Sequence, residues 1–105
     1  MRQLQSIFIV LLLAACASIT APQTFEQRLA YGYGSVTAVR QTATDLLVRD
    51  RITVAQAEYV QEKANQARTY LDLAQGSPDP GQAQDNLQLA LTILIAIEST
   101  LREAQ

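Results

Sequence analysis

From Thr24 onward an apolar or small residue recurs at intervals that alternate between four and three. Phe25, Leu29, Gly32, Val36, Val39, Ala43 and Leu46 form the first such seam. Ala57, Val60, Ala64, Ala67, Leu71 and Ala74 form the second, and Ala83, Leu87, Ala90, Leu94, Ile97 and Leu101 the third. This spacing tracks one face of a 3.6-residue helix and resembles a coiled-coil seam. It predicts three helices, the first running to about Arg49, a length of ~38 Å at 1.5 Å per residue.

Punctuation agrees with the periodicity. Thr24-Phe25-Glu26-Gln27 and Thr53-Val54-Ala55-Gln56 both fit a capping box, in which the threonine accepts from a backbone N–H and the glutamine reaches back. Ile52 is placed to staple onto Ala57. Asp79 can cap the third helix, with Pro80 at its first position and Gln82 three residues after the cap. Gly76 is placed as the stop of the second helix, and Gly76-Ser77-Pro78-Asp79-Pro80-Gly81 reads as a loop. Charges four residues apart, Asp45–Arg49, Arg68–Asp72 and Glu98–Arg102, predict ion pairs along the exposed faces. Short connections force neighbouring helices to run antiparallel. The predicted fold is all-α, an up-down-up three-helix bundle over residues 24–105.

Two stretches depart from the simple seam. Tyr31-Gly32-Tyr33-Gly34 places two glycines among good helix formers, each costing ~1 kcal/mol against Ala. Gly32 lies on the seam, where close helix approach gives a reason for it. Gly34 has no such reason and is read as a bend. A phosphate-binding Gly-x-Gly is unsupported, since no strand precedes it and a third glycine is lacking. The second departure is Leu89-Ala90-Leu91-Thr92-Ile93-Leu94-Ile95-Ala96-Ile97, whose apolar arc covers more than half the helix circumference. Leu89 and Ile93 project to one flank and Ile95 to the other. Either the third helix is central and buried by both others, or Leu89, Ile93 and Ile97 form a surface for a partner or a second copy. A strand is a weaker reading, because the flanking pattern is helical. Tyr31, Tyr33, Tyr59 and Tyr70 join the candidate contact surface; bundle-edge packing is the alternative for each.

Ahead of the bundle the pattern changes. A start carrying one charge, Arg2, is followed by an apolar run from Ile7 to Ala15 that closes on Leu13-Ala14-Ala15-Cys16. Nine residues cannot span a bilayer, which needs ~20, but a charged start, a short apolar core and small residues before a cleavage point are the parts of an export signal. The arrangement resembles a bacterial lipoprotein signal peptide with its lipobox. That resemblance implies cleavage after Ala15, diacylglycerol on the Cys16 thiol and acylation of the new amino group. Residues 1–15 are then the signal peptide, and residues 16–23 the lipidated cysteine and a tether. Ala17 in place of Asp leans towards the outer membrane, facing the periplasm. An ordinary cysteine behind an uncleaved anchor is the plainer alternative. With one cysteine in the chain, no internal disulfide can form.

Composition narrows the function. Without Arg2 the eight Lys and Arg become seven, against ten Asp and Glu, a net of −3. No basic run points to nucleic acid. The chain has no His and one Cys, so neither a Cys/His metal site nor a Ser-His-Asp arrangement can be built. Glu58 and Glu62 share a helical face, but an outer one with Lys63 and Arg68 nearby. The expectation is a non-catalytic binding or adaptor module without metal or cofactor beyond the lipid on Cys16, held at the membrane and free to take a protein partner or form a homo-oligomer. A self-associating spacer of the envelope and a prophage-encoded envelope protein are the alternatives. The chain departs from the peptidoglycan-tethered outer-membrane lipoprotein by ending in Arg102-Glu103-Ala104-Gln105, without a terminal lysine. It departs from the proline-rich lysis lipoproteins by holding only Pro22, Pro78 and Pro80.

Overall fold

The computed structural model describes residues 24–105; the export signal at 1–15, Cys16 and the tether lie outside the described residues. Three helices pack against one another in the order α1 (Phe25–Val48), α2 (Val54–Gly76) and α3 (Pro80–Ala104), with no strand among the described residues. The up-down-up bundle follows from the short turns: α1 and α3 run parallel, and α2 returns between them. Thr24, the end of α2 and the start of α3 share one end of the bundle. The α1–α2 turn and Gln105 share the other.

Both capping boxes close. Thr24 Oγ1 accepts from the Gln27 N–H at 3.1 Å while Gln27 Oε1 accepts from the Thr24 N–H at 3.3 Å. Thr53 and Gln56 repeat this at 3.1 and 2.8 Å. Asp79 caps α3 through the Gly81 N–H at 3.0 Å, with Pro80 leading the helix.

The helix ends differ from the expectation. Gly76 is the last residue of α2 and no glycine has positive φ among the described residues, so Gly76 is not a left-handed stop. Termination comes from Pro78, which disfavours helical geometry at the residue before it; Ser77 is accordingly extended, with φ −78° and ψ 127°. The left-handed stop is at the other turn, on Asp50, with φ 57°. The Arg51 N–H reaches the Leu46 carbonyl at 2.8 Å and the Asp50 N–H reaches Leu47 at 3.1 Å. This bond pair is the Schellman motif, with Asp where Gly is usual.

The three seams form the core. Ala43, Ala64, Ala67, Leu71, Leu87 and Ala90 have no exposed surface, and Val36, Val39, Leu46, Val60, Leu94, Ile97 and Leu101 are nearly as buried. Full burial of a Leu or Val side chain contributes ~1.5–3 kcal/mol. Ile52 and Ala57 are buried in the same core, as a staple requires. Phe25 and Leu29, at the open start of α1, are only partly covered. Close approach at Gly32 is tight: a Cβ there would lie 2.6 Å from Leu71 Cδ2. Gly34 faces open space and α1 passes through it without a break.

Of the expected ion pairs, Asp45–Arg49 forms at 3.4 Å. Arg68–Asp72 and Glu98–Arg102 do not close to ion-pair distance. Asp72 instead accepts from the Tyr33 hydroxyl at 2.5 Å, a bond between helices that displaces the pair within α2. The third helix packs against both others, as does each helix of the bundle, and the most extensive contact is between α2 and α3.

Candidate functional site

Polar side chains cross two of the three interhelical grooves. Arg28 of α1 donates to Gln84 at 3.3 Å and Gln88 at 3.1 Å, bridging to α3. Tyr33 and Arg40 bridge α1 to α2 through Asp72 and Asn65, and Gln75 Oε1 lies 3.0 Å from the Tyr33 hydroxyl. Burial, followed by the Asp72 hydrogen bond and its negative charge, pushes the Tyr33 hydroxyl up to about 12, with Arg68 opposing. Among the described residues no side-chain hydrogen bond crosses from α2 to α3.

That third groove is the candidate site. Two shallow recesses lie along it and meet at Tyr59. One, of about 250 Å³, is bordered by Tyr59, Lys63, Ile93, Ala96 and Thr100. The other, of about 230 Å³, is bordered by Ile52, Ala55, Tyr59, Leu101 and Ala104. The surface is more apolar than its composition suggests. Thr92 and Thr100 turn their hydroxyls back onto the Gln88 and Ala96 carbonyls, at 2.8 and 3.1 Å, which leaves their methyl groups for the groove. The one cation on its border, Lys63, lies 5.6 Å from the Tyr59 ring centre and 3.4 Å from Gln66 Oε1, so its charge is held over an aromatic face. By contrast, the recess between α1 and α3 is rimmed by Thr42, Glu98 and Arg102.

The predicted contact residues separate into three groups. Tyr59, Tyr70, Leu89 and Ile93 lie on the α2–α3 side: Tyr59 and Ile93 border one recess, Leu89 is one helical turn before Ile93, and Tyr70 is eleven residues from Tyr59, three turns along the same face. Tyr59 is 53% and Leu89 48% exposed, whereas Ile93 and Tyr70 rest partly on the core. Ile97 is a correction as an exposed patch residue: it lines the same recess from beneath but is 3% exposed and belongs to the core. Tyr31 is exposed on α1, outside this groove, and Tyr33 is bound to α2. Cys16 is outside the described residues. Ala55, Lys63, Ala96 and Thr100 line the groove without having been singled out in the sequence. The signal for them was the joint rotation of two antiparallel helices: Ala96 and Thr100 follow Ile93 by three and seven residues, on the same face.

Glu58 and Glu62 are both exposed on α2. Among the described residues no three His, Cys, Asp or Glu side chains gather as metal ligands. Compared with family models, with curated proteins and with solved structures, the chain matches none.

Proposed function

We propose that the protein is a lipid-anchored lipoprotein of the bacterial cell envelope, placed at the outer membrane facing the periplasm, whose bundle is a non-catalytic binding module. The observation that carries this reading is Leu13-Ala14-Ala15-Cys16 behind a short apolar run. No helix among the described residues is long and apolar enough to cross a membrane. On this reading a lipid on Cys16 attaches the chain. Two or three acyl chains at ~0.8 kcal/mol per buried CH₂ hold the chain effectively permanently. The bundle offers an apolar groove between α2 and α3 as a surface for a partner.

The start of α1 is the point of attachment. The seven residues from Ala17 to Gln23 reach at most ~23 Å, so the end carrying Thr24 and the Gly76–Pro80 loop stands next to the membrane. The Asp50 turn points away from it.

Fractionation tests the anchor. The wild-type chain is expected in the membrane fraction, extracted only by detergent, and Cys16→Ser in the soluble or uncleaved pool. A Cys16→Ser chain that stays membrane-bound with a mass changed only by the substitution would falsify the lipoprotein reading.

A further inference from the structure

We propose that Arg40 is the receptor for a single carboxylate carried next to an apolar group, seated in the recess between α1 and the Gln61 side of α2. This site is separate from the α2–α3 groove and does not rest on the anchoring proposed above.

The starting observation is a charge without a counterion. Arg40 is half-buried and donates through Nη2 to Asn65 Oδ1 across the α1–α2 groove. Asn65 is neutral, and among the described residues no carboxylate stands at ion-pair distance from this guanidinium. Its Nε is the one buried side-chain nitrogen or oxygen among the described residues that meets no hydrogen-bond partner. Burial takes water from that N–H and the fold supplies no acceptor in its place, a costly state for a polar donor. Arg28, also half-buried, is different: both of its Nη atoms are engaged, by Gln84 and Gln88.

The surroundings supply the rest of a carboxylate site. The recess beside Arg40 measures about 580 Å³. Gln41 and Gln61 border it, and among the described residues neither side-chain amide has a hydrogen-bond partner. Each therefore has N–H donors to turn towards an oxyanion. Thr44 spends its hydroxyl on the Arg40 carbonyl at 3.0 Å, which leaves its methyl group for the recess. Val48, 78% exposed, is the apolar wall.

These features select the ligand. The arginine fork takes a carboxylate through two parallel N–H groups, Nε–H and one Nη–H. Rotating the guanidinium off Asn65 turns that edge into the recess, so the orphan donor gains an acceptor and the charge gains a counterion in one step. Asp45, on the rim and paired with Arg49 at 3.4 Å, limits the ligand's charge. It repels a dianion roughly twice as strongly as a monoanion at the same distance. Val48 and the Thr44 methyl favour an aliphatic group beside the carboxylate.

Nuclear magnetic resonance on the full-length, detergent-solubilised chain tests this at the arginine Nε–Hε signals, with that of Arg40 assigned by its loss in Arg40→Gln. The probe is N-acetyl-leucine; N-acetyl-leucine amide, which lacks the carboxylate, and inorganic phosphate are the comparisons, all at equal ionic strength. The Arg40 Hε signal is expected to move downfield and saturate with N-acetyl-leucine, to stay in place with the amide, and to need more phosphate for the same shift. No saturating shift, the same shift with the amide, or saturation at lower phosphate overturns the proposal. Thermal unfolding of the same samples is the second measurement. A ligand of the folded state raises Tm, so N-acetyl-leucine is expected to raise that of the wild type and to raise that of Arg40→Lys less, because lysine keeps the charge and loses the fork. No rise in the wild type, or an equal rise in Arg40→Lys, overturns the proposal.

Discussion

Gly32 and Gly34 lie two residues apart on α1, yet the same substitution should move stability in opposite directions. Gly34 faces open space, so Gly34→Ala is expected to raise stability by about 1 kcal/mol through helix propensity alone. At Gly32 an added methyl meets Leu71 at 2.6 Å, and Leu71 is fully buried and has nowhere to swing. Overpacking of ~1–3 kcal/mol exceeds the ~1 kcal/mol gained in propensity, so Gly32→Ala should lower stability by about 1 kcal/mol in denaturant titration. Tyr33 supplies a pH test. Its folded-state value, about 12, is above the ordinary 10.0, so the neutral phenol is the form favoured by folding. The stability it contributes is complete below pH 10 and is lost as pH rises from 10 towards 12. Ultraviolet titration should show a tyrosine step near pH 12, and Tyr33→Phe should remove that late step. A Tyr33→Phe titration that still shows it would assign the shift elsewhere.

At the scale of the elements, what could be read from the chain was what local rules decide. The seam positions Val36, Val60, Leu71, Leu87 and Leu94 are buried as the four-and-three spacing requires, because one helical face can serve only one core. The threonine caps formed because their partners are three residues away. Less legible was anything that needs two helices at once. Arg68 and Asp72 have the spacing of an ion pair, but Tyr33 of α1 reaches Asp72 first, and no spacing within α2 reveals that. Asp50 took the left-handed stop that the glycine rule gives to Gly76, since the tight α1–α2 turn demands it and Pro78 ends α2 by another route. Of the predicted contact surface, the division between Ile93 and Ile97 turned on which neighbour each faces. Neighbouring positions on α3 test this phase directly. Leu94→Asp buries an unpaired charge at a 1% exposed site and should unfold the bundle. Ile95→Asp, at 61% exposure, should stay within ~0.5 kcal/mol of wild type by circular dichroism melting. Similar losses at both would contradict the register of α3. Thr53→Ala should lower stability by about 1 kcal/mol through loss of the α2 cap.

For the whole molecule, the anchor and the groove are linked by geometry. The described residues begin with Thr24 at one end of the bundle, so on the proposed anchoring a bundle ~35 Å long would stand away from the bilayer with the α2–α3 face turned sideways. Cleavage after Ala15, as proposed, would leave a net charge of −3 (seven Lys and Arg against ten Asp and Glu), which disfavours adhesion to anionic headgroups. Because the apolar groove lacks interhelical hydrogen bonds, its contacts should be sensitive to a single buried charge and insensitive to salt.

The central claim, that Cys16 is the membrane anchor, is tested most directly by the intact mass of the protein extracted from membranes. The expected species begins at Cys16 and carries the added mass of a diacylglyceryl group and an N-linked acyl chain, and base treatment removes the ester-linked chains. A chain whose mass corresponds to unmodified residues 1–105, or to cleavage elsewhere with a free Cys16 thiol, would contradict it.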